Sequence, residues 1–154
     1  GDSEAIAEYL EECHPDPPAL PDGAGARARV RDRSRFHDTR FEPVLRMLFP
    51  YLPGREDAPF GFVRDRAEDL NARLVHLAGL IDTDPTAGQN LTLAECGYPI
   101  SFAWLDKLAP LMGFDITWTN TVLSYRRQIE VLPPVAQELA EYRPRLDAFL
   151  ATGA

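Results

Sequence analysis

Apolar residues recur every three or four positions along almost the whole chain, and prolines cut that pattern into pieces of helical length. Phe60, Val63, Ala67, Leu70, Leu74, Leu77 and Ile81 step this way, with Asp69 and Arg73 paired at i, i+4 on the wet face. Asp82-Thr83-Asp84-Pro85, then Gly88, carries turn chemistry and ends that helix. Upstream, Ala26, Val30, His37, Phe41, Val44 and Leu48 share one side of a helix, while Arg33, Phe36 and Arg40 form a neighbouring stripe off the core face. Pro43 removes the hydrogen bond to the Thr39 carbonyl, which predicts a bend near residue 42. Pro50-Tyr51-Leu52-Pro53-Gly54 reads as a loop between the two helices.

The next helix start is doubly specified. Thr92 is placed to cap the Glu95 amide while the Glu95 carboxylate reaches back to the Thr92 amide, and Leu91 is placed to staple onto Cys96. Ile100, Trp104, Leu105, Leu108 and Leu111 continue this helix, with a kink expected at Pro99. Thr119 or Asn120 opens another helix bearing Val122, Tyr125 and Ile129. Pro133-Pro134 stops it, and Pro134 suits the first position of a last helix with Val135, Leu139, Tyr142, Leu146 and Phe149. With no repeat and no hairpin turn, the expected class is all-α with negligible β structure.

Composition removes several functions. No apolar run approaches the roughly 20 residues of a membrane span, and no signal-peptide pattern opens the chain. A net charge of -8 opposes the grip on phosphate that nucleic-acid binders need. Arg27, Arg29, Arg31, Arg33 and Arg35 do not reverse this, because every second helical residue turns by about 200° and splits them into two faces. Cys13 and Cys96 are too few for a disulfide framework or a zinc site, which points to a reducing, cytoplasmic setting. Lys107 is the single lysine among 16 basic residues, a bias expected of a GC-rich bacterial genome.

Among polar residues, Asp2 and Ser3 sit where a helix begins. They suit an ordinary cap, and they also suit an anion site, since the first amides of a helix are unpaired and carry positive potential. His37, beside Asp38, reads as a core or interface histidine; a Ser-His-Asp or metal role needs partners that the sequence does not place. Cys13-His14 reads as a solvated loop start, and Cys96 as a small buried hydrophobe. Trp104, Trp118, Tyr125 and Phe149 are packing candidates. No catalytic residue and no metal ligand set is identified.

The order of these elements resembles one family. Gly88-Gln89-Asn90-Leu91-Thr92-Leu93-Ala94-Glu95 is similar to the glutathione S-transferase segment Gly-x-x-Leu/Ile-Thr-x-Ala-Asp, with Glu95 in place of Asp, a departure that touches the geometry of the cap. Asp2-Ser3-Glu4-Ala5-Ile6-Ala7-Glu8-Tyr9-Leu10 resembles the family's Glu/Asp-Ser-x-Ala-Ile-x-x-Tyr-Leu. Pro15-Asp16-Pro17-Pro18-Ala19-Leu20-Pro21 resembles its Pro-rich linker, and Leu132-Pro133-Pro134-Val135 its Arg-Pro-x-Val.

The resemblance implies a transferase that directs the glutathione thiolate at an electrophilic small molecule, with glutathione as co-substrate and no resident cofactor. It divides the chain into 1–14, the final helix of a truncated thioredoxin-like domain; 15–25, a linker; and 26–151, the all-helical C-terminal domain. The catalytic Ser, Cys or Tyr then has no position here, and this piece alone is expected to be nearly inactive. Ser3 is implied to hold the γ-glutamyl carboxylate of glutathione and Asp2 its ammonium. Arg33, Phe36 and Arg40 are implied second-substrate pocket residues, a solvated face or subunit contact being the alternative. A homodimer is implied, without nucleic-acid or membrane partners. The competing expectation is a non-catalytic helical adaptor that docks other proteins.

Overall fold

The computed structural model describes residues 2–52 and 54–152, and every regular element among them is a helix. Pro53 of the expected loop, like Gly1, lies outside the described residues. Helix α1 spans Ser3–Cys13, and an extended segment leads to α2 at Ala24–Phe36. A π-turn over His37–Phe41 follows and runs directly into α3, Glu42–Arg46. Beyond lie α4 (Phe62–Asp82), a 3-10 turn at Leu93–Glu95, α5 (Tyr98–Met112), α6 (Asn120–Glu130) and α7 (Pro133–Ala151).

The π-turn is what Pro43 produces in place of a simple bend. In it the Glu42 amide bonds to the His37 carbonyl, five residues back. Pro43 then falls in the first turn of α3, where no donor is required. Pro99 likewise lies in the first turn of α5 and does not kink it, because the Thr92 box caps a separate 3-10 turn and the long helix restarts at Tyr98. The box itself forms as expected, the Thr92 amide donating to Glu95 Oε2 at 3.0 Å; the Thr92 hydroxyl also accepts from the Ala94 amide at 3.3 Å. Thr119 caps α6 through the Val122 amide at 3.2 Å, and α7 begins at Pro133, one residue before Pro134. Phe60 is excluded from α4 and fully exposed, since Gly61, with φ 79°, turns the chain before the helix starts.

The core is centred on α5. Phe102, Leu105 and Leu108 meet Leu70, Leu74 and Leu77 of α4 and Val122, Tyr125 and Ile129 of α6, all essentially inaccessible. Truncating one of these leucines to alanine costs about 2–5 kcal/mol in such a setting. On the other side of α5, Ala103 packs with Val135, Leu139 and Leu146 of α7. Trp104 lies against Phe49 and Phe149, its indole N–H donating to the Tyr142 hydroxyl at 2.8 Å. Phe36 belongs to this core and stacks on His76 at 4.7 Å.

Arg33 corrects the sequence reading most sharply. It lies not on an exposed stripe but in the interior, 2% exposed. Its guanidinium donates to Asp84 and, at 3.1 Å, to Glu95 Oε1, which also accepts from the Tyr125 hydroxyl at 2.9 Å. The Tyr98 hydroxyl closes the cluster on the Arg33 carbonyl at 2.8 Å. Periodicity assigned arginine to the wet side; two buried carboxylates make the dry side tolerable, because a buried charge survives only with close partners. Burial pushes both Tyr98 and Tyr125 upward, so they stay protonated donors.

Burial alone raises the Asp84 carboxyl, but the Arg33 bond, aided by the Thr86 hydroxyl and amide, outweighs it and leaves Asp84 below the ordinary aspartate range. A depressed folded pKa contributes stability that is complete above the unfolded value near about 3.9 and is lost as pH falls through the folded one. Urea titrations as a function of pH are expected to show an acid limb that flattens in Asp84→Asn. In the same assay at neutral pH, Glu95→Ala is expected to cost about 3–5 kcal/mol by leaving Arg33 with Asp84 alone and the buried Tyr125 hydroxyl without its acceptor; a cost under about 1 kcal/mol would show that the cluster is dispensable.

Candidate functional site

Helix α1 is amphipathic in the reverse sense. Three of its carboxylates are engaged by the rest of the fold: Glu4 accepts from the Ser34 hydroxyl, Glu8, half-buried, forms a bidentate pair with Arg31 at 2.6 and 2.7 Å, and Glu11 accepts the Ala19 and Leu20 amides at 2.8 and 3.1 Å. Its large apolar residues face out, with Ile6, Tyr9 and Leu10 each at least half exposed, while Ala7 packs against Leu20, Val30 and Leu93. This attachment sets the N-terminus of α1 against the end of α2 and the π-turn.

A groove opens there in two lobes, about 220 and about 380 Å³, which share Ser3, Glu4, His37 and Asp38 as walls. Asp2 caps α1, its Oδ1 accepting from the Glu4 and Ala5 amides at 2.9 and 3.2 Å. The amide and hydroxyl of Ser3 make no hydrogen bond among the described residues, and Ser3 is exposed. A donor pair at the positive end of a helix, open to a groove, suits a carboxylate. Arg35 and Arg46 line the outer lobe, Arg46 being paired with Glu42.

His37 forms the floor. Nδ1 lies 2.7 Å from Asp38 Oδ1 and Nε2 lies 2.9 Å from Ser101 Oγ. The carboxylate only accepts, so Nδ1 carries a proton, and in the neutral ring the Ser101 hydroxyl donates to Nε2. The sequence sets Asp38 beside His37 but could not place Ser101, which is 64 residues away. The alignment is that of a Ser-His-Asp chain, yet Ser101 is buried and absent from the groove walls, out of reach of any substrate. His37 is buried, as expected of a core histidine.

The other expected site residues are scattered. Arg33 and Phe36 are interior, and Arg40 is exposed, with its carbonyl accepting from Arg73 at 2.6 Å, so the three share no stripe. Cys96 is not a buried hydrophobe: it reaches the surface on the groove wall, because the chain breaks between the 3-10 turn and α5. Its Sγ tucks against the Thr92 carbonyl at 3.5 Å, and burial, then the Glu95 charge, raises the thiol above its ordinary value. Cys13 and His14 are exposed, and no cluster of three metal-binding side chains exists among the described residues. Sequence reasoning missed Gly97, Ser34 and Ser101; only the glycine after the capping box offered a signal.

No protein-family model and no curated protein matches the sequence. Among solved structures, the chain is similar to a glutathione S-transferase from Methylobacterium radiotolerans JCM 2831, in complex with glutathione sulfonate, at TM-score 0.61 and 20% identity over 89% of this chain and 65% of that one. It is also similar to a glutathione transferase homologue from Burkholderia gl BGR1 with bound glutathione, at TM-score 0.53 and 22% identity over 94% of this chain and 67% of that one. The fold is therefore the all-helical fold of the glutathione transferase C-terminal region, and the chain spans about two thirds of the length of these neighbours. No helix among the described residues is long and apolar enough to cross a membrane.

Gly97 carries a direct test of the site's packing. A Cβ built on it would lie 2.4 Å from the His37 ring. Gly97→Ala is expected to cost about 1–3 kcal/mol by overpacking, and most of that cost is expected to vanish in a His37→Ala background. Additive losses in the double-mutant cycle would contradict the contact.

Proposed function

We propose that this chain is the helical portion of a glutathione S-transferase-like protein that in complete form binds glutathione and directs its thiolate at an electrophilic small molecule. The observation that carries the reading is the N-terminus of α1, where Ser3, exposed and without a hydrogen bond among the described residues, lines a groove in a fold shared with two proteins solved with glutathione or its sulfonate. Ser3 takes the γ-glutamyl carboxylate of glutathione, and the first turn of α1 supplies the field that favours it. Glutathione is a co-substrate in this reading, and no resident cofactor is needed.

The thiolate is the nucleophile in such chemistry, and the group that lowers the glutathione thiol pKa must come from outside this helical portion. Cys96, held as a raised thiol, does not fill that role. The exposed Ile6, Tyr9 and Leu10 give α1 an apolar face suited to a thioredoxin-like domain carrying the activating residue. The same face favours the second reading, a helical adaptor that docks another protein there. A bacterial, cytoplasmic homodimer completes the proposal.

Isothermal calorimetry of the complete gene product against glutathione separates these readings. Binding that weakens about tenfold in Ser3→Ala is expected, the worth of one charge-assisted hydrogen bond. Absence of any heat of binding in the unmodified protein would favour the adaptor.

A further inference from the structure

We infer that Glu4 is a positioning residue: its buried carboxylate, bound by the Ser34 hydroxyl, clamps the first turn of α1 to α2 and so fixes Ser3 in the groove; this rests on the glutathione reading above. The end of a helix is loosely held unless something ties it down, because its first amides have no partner within the helix. Of residues 2–6, Glu4 alone is buried, at 8% exposed. The bonds from Asp2 stay within α1, so they shape the turn without tying it to the rest of the fold. The next contacts with the body of the protein, Ala7 in its apolar cluster and Glu8 on Arg31, belong to the following turn.

A buried carboxylate is a costly anchor, and two features offset the cost here. Ser34, itself buried on α2, donates its hydroxyl to Glu4 Oε1. The Leu93 carbonyl, 3.4 Å away, is the weaker acceptor for that one proton, since a bond to an ionised group is shorter and stronger. Glu4 also stands in the first turn of α1, where the field of the helix favours negative charge.

The placement of Ser3 follows from that bond. Consecutive helical residues point about 100° apart, so turning Glu4 to Ser34 fixes the direction of Ser3 as well. Ser3, Glu4 and Ser34 line the same lobe of the groove, and the bond ties together the two helices that form it. A ligand carboxylate then meets donors already in place and does not have to order the turn as it binds.

Calorimetry of the complete gene product with glutathione and with γ-aminobutyryl-cysteinyl-glycine, the same tripeptide without the γ-glutamyl carboxylate, tests this. The unmodified protein is expected to prefer glutathione about tenfold. Glu4→Ala is expected to erase that preference, and Ser34→Ala, which leaves the carboxylate in place, to do the same. Glu4→Gln, whose amide oxygen still accepts from Ser34, is expected to keep it. The ratio of the two affinities does not depend on the fraction of protein that is folded, so a loss of stability alone leaves the preference unchanged. A preference that survives Glu4→Ala or Ser34→Ala, or that is lost in Glu4→Gln, overturns the proposal and leaves the glutathione reading intact. Equal affinity of the unmodified protein for the two peptides, or affinity for neither, overturns the Ser3 contact as well.

Discussion

A guanidinium buried between two carboxylates organises this molecule. Arg33 of α2 reaches Asp84, in the turn after α4, and Glu95, in the 3-10 turn before α5, across 51 and 62 residues of chain. Tyr125 of α6 and Tyr98 of α5 bond into the same cluster. Charges taken out of water tolerate little displacement, because the attraction that offsets their desolvation falls as soon as a partner moves. The cluster therefore sets the register of α2 against the rest of the bundle. One turn further along, that register delivers His37 and Asp38 to the groove.

Much of the architecture was legible from residue spacing, and the exceptions have physical causes. The apolar stripe of α4, the Thr92–Glu95 box and the Thr119 cap depend on neighbours within a few residues, and sequence displays those directly. Arg33 was assigned to an exposed stripe because periodicity ranks arginine as polar and cannot see compensating carboxylates far along the chain. The Ser101 partner of His37 was hidden for the same reason. Pro43 announced an irregularity but not its form, since a bend and a π-turn both accommodate a missing donor. Phe60 looked periodic, yet one glycine with positive φ removed it from the helix.

Helix α1 shows how polarity can mislead at a smaller scale. Its Glu4 and Glu11 are interior anchors and its Ile6, Tyr9 and Leu10 are outside, the inverse of a surface helix. Only the tertiary partners Arg31, Ser34 and the amides of Ala19 and Leu20 explain why carboxylates face inward. The cap that opens α1 remains readable from sequence, but the groove beside it is not. Asp2 caps the helix, while its neighbour Ser3 lines the groove.

The most direct measurement of the central claim is a crystal structure of the complete gene product with glutathione. The account predicts the γ-glutamyl end of the tripeptide at the N-terminus of α1, its carboxylate on the Ser3 amide and hydroxyl. Glutathione bound elsewhere, with the Ser3 groove holding only solvent, would contradict it.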